Sequence, residues 1–153
     1  MAADDLTLFE QLELQMKALV PFVRGLQAEL GEDVVNDAID KMRAKAEAGA
    51  LADKSDGLPL SVNREAFEAW GAGALEYTIV RDEEEAFDVD VTSCRYAAMM
   101  KELGAQDIGE RLICSQDEAM ALKVGHVLTR TQTCMGGASH CDFRFKKRSD
   151  DNA

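Results

Sequence analysis

The chain has 153 residues, 46% of them hydrophobic, with 17 Lys and Arg against 29 Asp and Glu for a formal net charge of −12. A chain of this length buries the core of one domain without metal or disulfide staples, and its negative charge opposes nucleic acid and anionic membranes, whose phosphates it repels. No apolar run reaches the length of a membrane span and the acidic start MAADDLTLFE does not read as a signal peptide, so the expected location is cytoplasmic.

Phe9, Leu12, Met16, Leu19, Val23, Leu26 and Leu30 recur at steps of three and four, the stripe of an amphipathic helix or helix pair. Pro21 falls inside the stripe and predicts a kink or a break. Leu8, Leu14, Val20 and Phe22 lie off it, which fits either a helix buried on two sides or a second surface for a partner copy in a homodimer. Gly31 marks a stop, after which Val35, Ala38, Ile39, Met42 and Ala46 restart a helical period ending near Gly49. Residues 50–62 read as a loop. Asn63 is placed to cap a short helix over 64–70.

Residues 75–81 and 86–92 alternate on either side of an acidic DEEE turn and predict a hairpin. With no glycine, that turn does not have the ordering of a calcium loop. Ser93 reads as an N-cap, putting Cys94 in the first turn of a helix that stops at Gly104. A further helix is expected over 106–113, and SQDE at 115–118 reads as a capping box opening another that Gly125 closes. Residues 126–147 then predict a second hairpin with 135–139 as its loop, which sets Cys134 opposite His140, Gln132 opposite Asp142 and Arg130 opposite Arg144. Within its second strand, Cys141 must face away from His140 and Asp142. The expected fold is α+β: an antiparallel sheet built from two β-hairpins, covered on one face by helices, with an N-terminal helical region. Residues 1–147 form one domain and 148–153 a disordered tail.

The four cysteines, at 94, 114, 134 and 141, lack CxxC spacing and are expected to be free thiols. Cys94 is the best nucleophile candidate, because the first turn of a helix lowers a thiol's pKa. His140 and Asp142 form a candidate base pair, the carboxylate fixing the imidazole tautomer. Cys141 reads by default as a small buried hydrophobe. Arg130 and Arg144 can clamp a substrate carboxylate or face water.

Two stretches, FDVDVTSCRYAAMMKELG over 87–104 and LTRTQTCMGGASHCDFRF over 128–145, resemble the paired signatures of the L-2-amino-thiazoline-4-carboxylic acid hydrolase family. The matching positions are Phe87, Cys94, Tyr96, Thr129, Arg130, Thr131, Gly137, Cys141, Asp142, Phe143 and Arg144. The resemblance implies a small α+β protein that opens the ring of a cyclic amidine to give N-carbamoyl-cysteine. It carries over Cys94, Arg130, His140, Cys141 and Asp142 as site candidates. The end of the second hairpin is also loosely similar to small-molecule-binding domains of the 4-vinyl reductase type.

Three readings follow. In the first, a hydrolase acts through Cys94 attack, or through water activated by His140 and Asp142, with Arg130 holding the substrate carboxylate. It requires Cys94 and His140 to share one pocket. In the second, a non-catalytic binding or sensor domain holds a ligand among Trp70, Tyr77, Tyr96 and Met99. Neither needs a cofactor, and both take a small-molecule ligand. The third gathers Cys94, His140 and Asp142 into a metal site.

Overall fold

The structure, a computed structural model, describes residues 6–52 and 62–149. Helix α1 (Leu8–Leu30) starts at a full capping box, with Thr7 and Glu10 exchanging hydrogen bonds. It runs through Pro21 as one helix, which excludes the second of the two expected outcomes, a break. Pro21 is exposed, so the backbone carbonyl one turn earlier, which has lost its N–H partner, is free to bond water. Phe9, Met16 and Val23 of the stripe are buried, as is Val20 beside it, while Leu30 at the end of the stripe and Leu14 and Phe22 off it stay exposed. Gly31, at φ 95°, ends the helix where an L side chain would be strained.

Helix α2 (Glu32–Ala52) packs back against α1 and extends past the predicted stop at Gly49. Most of the predicted loop, residues 53–61, lies outside the described residues, as do 150–153 of the expected tail. Asn63 caps α3 (Arg64–Gly71), its side chain accepting from the Ala66 N–H at 2.9 Å.

Strands β1 (Leu75–Glu83), β2 (Ala86–Cys94), β3 (His126–Thr129) and β4 (Cys141–Lys147) form one antiparallel sheet in the order β1-β2-β4-β3. Phe87, Val89 and Val91 of β2 and Phe143 and Phe145 of β4 point to one face. Phe67 of α3 packs there, ringed by Trp70, Tyr77, Phe87 and Phe143 at centroid distances of 5.0 to 5.9 Å. Burying each such side chain contributes about 1.5–3 kcal/mol. The opposite face carries Asp90, Asp142 and Arg144. The chain is therefore an α+β domain whose sheet is covered on one side, as alternation within the strands predicts.

Between the hairpins lie α4 (Arg95–Glu102), α5 (Gln106–Gly109), a π-helical turn (Glu110–Cys114) and α6 (Gln116–Lys123). The SQDE capping box does not form. The Ser115 hydroxyl donates to the Arg111 carbonyl at 2.7 Å, and Glu118 bonds Arg130 instead.

The second hairpin departs from its predicted register. Thr129, not Arg130, pairs with Arg144, and Leu128 pairs with Phe145. Strand β3 ends at Thr129, and 130–140 form a long loop. Asp142 accounts for the departure: its carboxylate accepts the N–H groups of Thr131 and Gln132, both at 2.9 Å, and the Thr131 hydroxyl at 2.6 Å. Those groups are thereby satisfied by a side chain rather than by a ladder. The loop is pinned further by Met135, 2% exposed and packed on Gly109, and by the Gln106 amide donating to the Met135 carbonyl at 3.0 Å.

Candidate functional site

Where β2 runs into α4, the helices lift off the sheet and leave a cavity of about 240 Å³. Leu8 and Leu12 of α1 close one side. Trp70 and Tyr96 close another, and Val91, Cys141 and Phe143 form the sheet floor. The polar groups in its wall are three thiols, Cys94, Cys114 and Cys141, with Tyr96, Gln116, Asp117 and Arg130.

Cys94 is the last residue of β2 and the N-cap position of α4, one position before the first turn predicted for it. Burial pushes its thiol pKa up, and the nearby N–H groups of Ala97 and Tyr96 offset only part of that. The helix start does lower the thiol's pKa, but desolvation outweighs it. Cys114 is pushed up by burial as well. Cys141 accepts the Cys134 N–H at 3.1 Å, yet burial still takes its thiol to about 12. All three enter neutral chemistry as thiols and need a base to become nucleophiles.

His140 does not line this cavity. The imidazole lies in the loop before β4, where the Gln132 amide nitrogen is 2.7 Å from its Nε2 and the Ser139 hydroxyl 3.0 Å from its Nδ1. Asp142, which was expected to orient it, is instead engaged with Thr131 and Gln132. Burial nudges the Asp142 carboxyl up, but those hydrogen bonds prevail and hold it at about 2. Neither His140 nor Asp142 is in the cavity wall, so the pairing of Cys94 with His140 in one pocket is not found. Nor do Cys94, His140 and Asp142 gather into a metal site; no cluster of three metal-ligating side chains occurs among the described residues.

Arg130 does reach the cavity, for a reason the predicted register concealed. Once the strand ends at Thr129, its guanidinium turns beneath the sheet, 4.8 Å from the centre of the Phe143 ring. There it donates to Asp117 at 2.7 Å, to Glu118 at 2.8 Å and to the Cys114 carbonyl at 2.7 Å, with 6% of the side chain exposed. Its terminal nitrogens are thus engaged by the protein rather than presented to a substrate carboxylate. Arg144 faces the other side of the sheet and pairs with Asp90 at 2.8 Å. Of the predicted pocket aromatics, Trp70 and Tyr96 line the cavity. Tyr77 packs edge-on against Phe67, and Met99 is buried in the helical core.

Asp117 is the residue sequence reasoning missed. Its carboxyl is drawn upward by burial and by Glu118 and downward by Arg130, and settles at about 7. A carboxyl that changes protonation near neutrality, in a cavity with a cysteine at the end of a strand, has the properties of a general base. Its sequence signal was absorbed into the capping-box reading, and its partner Arg130 lies 13 positions away on a separate element.

The chain belongs to the L-2-amino-thiazoline-4-carboxylic acid hydrolase family, whose model matches residues 11–145. The match spans nearly the whole chain and both stretches that carried the resemblance. It takes in Cys94, Asp117, Arg130 and Cys141 alike, and the family description suggests hydrolysis of a small molecule. No curated protein matches the sequence. Among the described residues no helix is long and apolar enough to cross a membrane.

Proposed function

We propose that the cavity opens the ring of a small cyclic amidine of the 2-aminothiazoline type. The observation that carries this reading is the convergence of the Cys94 thiol and the near-neutral Asp117 carboxyl on one largely apolar cavity. Asp117 takes the proton of Cys94 as the sulfur bonds to the amidine carbon. The ring C–S bond then breaks, and the proton returns to the departing ring sulfur. A water next adds to the Cys94-bound carbon, giving its proton to Asp117. The C–S bond to Cys94 breaks, the thiol is restored, and a carbamoyl product leaves. One water is consumed and no redox partner is needed. Arg130 acts as a positioning residue that holds Asp117 against the cavity wall.

Thiol release from 2-aminothiazoline substrates tests this reading. Cys94→Ala is expected to lower the rate at least about 100-fold while binding persists. A fully active Cys94→Ala protein rules out the thiol and leaves Asp117-assisted water attack. A fully active Asp117→Asn protein rules out the base.

A second reading, ligand binding without chemistry, draws support from a neighbouring apolar chamber of about 150 Å³, lined by Ala66, Phe67, Val124 and Phe145 and sharing Trp70, Asp117 and Met120 with the cavity. Stabilisation by apolar ligands, with no turnover of any cyclic amidine, favours it.

A further inference from the structure

Arg130 and Cys114 border two spaces at once: the cavity that holds Cys94 and Asp117, and a separate polar pocket of about 220 Å³. The Arg130 guanidinium is divided between them. Nη1 donates to Asp117, in the cavity wall, at 2.7 Å, and Nη2 donates to Glu118, in the pocket wall, at 2.8 Å. Consecutive residues of α6 thus give each space one carboxylate, with a single cation between them.

The pocket wall carries two guanidiniums, Arg43 and Arg130, and two carboxylates, Glu110 and Glu118. Its hydroxyls are already committed: Ser115 donates to the Arg111 carbonyl, Thr131 to Asp142 and Thr133 to Glu110. The charged groups are not. Arg43 Nε lies 3.6 Å from Glu47, and its terminal nitrogens make no hydrogen bond among the described residues. Arg130, with 6% of its side chain exposed, keeps Nε without a partner, and Glu118 keeps Oε2 without one. An unmet donor and an unmet acceptor in one wall suit an occupant that brings both kinds of group. A lone anion there would meet two carboxylates and a lone cation two guanidiniums, whereas a ligand with both charges close together meets neither penalty.

We propose that this pocket is a second binding site, for the zwitterion of a small free α-amino acid, and that its occupant acts on the catalytic cavity through Glu118, Arg130 and Asp117. The ligand carboxylate takes the terminal nitrogens of Arg43, and the ammonium takes Glu118. Glu118 draws the Asp117 carboxyl toward its protonated form and Arg130 draws it the other way. With Glu118 matched by an ammonium, Arg130 prevails and Asp117 releases its proton more readily. The other titratable groups near Asp117 are the Cys94 and Cys114 thiols and the Tyr96 phenol, which burial holds neutral, so the response passes through Arg130 and Glu118. That Asp117 serves as a base is taken from the reading above; the binding and the change at Asp117 do not depend on it.

Glycine is the probe, with acetate and methylamine as its two halves. Calorimetry follows binding, and carbon-13 NMR follows the Asp117 carboxyl through its titration. Glycine is expected to bind saturably, about 10-fold or more tighter than either half, and to lower the proton affinity of Asp117 about 3-fold or more. Arg43→Met, at an exposed position outside the catalytic cavity, is expected to erase both effects while the Asp117 titration without glycine stays where it was. Glycine binding no better than acetate or methylamine, binding undiminished in Arg43→Met, or bound glycine that leaves the Asp117 titration unmoved overturns the proposal. The expected glycine response, found in a protein that turns over no cyclic amidine, sustains the second site and sinks the ring-opening reading alone.

Discussion

The two sides of the sheet carry similar ion pairs in opposite circumstances. On the covered face, Arg130 and Asp117 pair at 2.7 Å with 6% and 15% of their side chains exposed. On the open face, Arg144 and Asp90 pair at 2.8 Å with 33% and 31% exposed. Distance does not separate the two pairs; solvent does. Water stabilises the outer charges and screens their attraction. The inner pair has traded hydration for mutual contact, which makes each partner costly to lose and leaves Asp117 near neutrality. Asp142, hydrogen-bonded on the open face, lies at about 2. Two aspartates of one chain are thus driven apart, and the one with the raised pKa is the one that shares a cavity with Cys94.

The contrast is broken most directly by exchanging carboxyl for amide on each face. Asp117→Asn is expected to lower ring-opening turnover by about 10²–10⁴-fold, and Asp142→Asn to leave it within about 2-fold, measured on folded protein by thiol release. Next comes stability. Arg130→Met leaves the largely buried Asp117 without its cation and is expected to cost about 3–5 kcal/mol in urea unfolding, whereas Arg144→Met costs about 1 kcal/mol or less. Equal costs would mean that the covered pair is not buried in solution. A smaller effect probes the loop that carries Arg130 to its place. Gly109→Ala drives a methyl into Met135 and is expected to cost about 1–3 kcal/mol, read as a shift in the urea midpoint.

The two aspartates carry opposite signs in proton linkage. Asp117 binds its proton more tightly folded than unfolded, at about 7 against an ordinary 3.8. Its contribution to stability is therefore complete below about 4 and is lost as pH rises toward 7. Asp142, at about 2 against 3.8, contributes above about 4 and loses that contribution as pH falls toward 2. Screening at its half-exposed position keeps the latter on the order of 1 kcal/mol. Unfolding measured from pH 3 to 8 is expected to lose its decline between 4 and 7 in Asp117→Asn and part of its acid limb in Asp142→Asn. Turnover runs the other way, rising through pH 7 as Asp117 ionises, and Asp117→Asn flattens that rise.

Much of this was legible in the chain. The alternation of Phe87, Val89 and Val91 and of Cys141, Phe143 and Phe145 set strand faces, because a strand repeats every two residues and one side must be dry. The N-cap at Asn63 and the stop at Gly31 were local events, decided by a few neighbouring atoms. Cys94 could be singled out from the boundary between a strand and a helix. The loop 130–140 was not legible in the same way. Its alternation continued the strand pattern, and nothing in the order of residues revealed that Asp142 would take the N–H groups a ladder needs.

The amino-acid order by itself determined the elements, the antiparallel character of the sheet and which side of each strand was apolar, since these follow from short-range periodicity and capping. Only the tertiary structure decided that Arg130 points inward to Asp117 while His140 stays in the loop among Gln132 and Ser139. It also decided that burial outweighs the helix start at Cys94. Proton affinities and pairings of this kind depend on what surrounds a group in three dimensions, and residues 94, 117 and 130 meet only after the chain has closed around them.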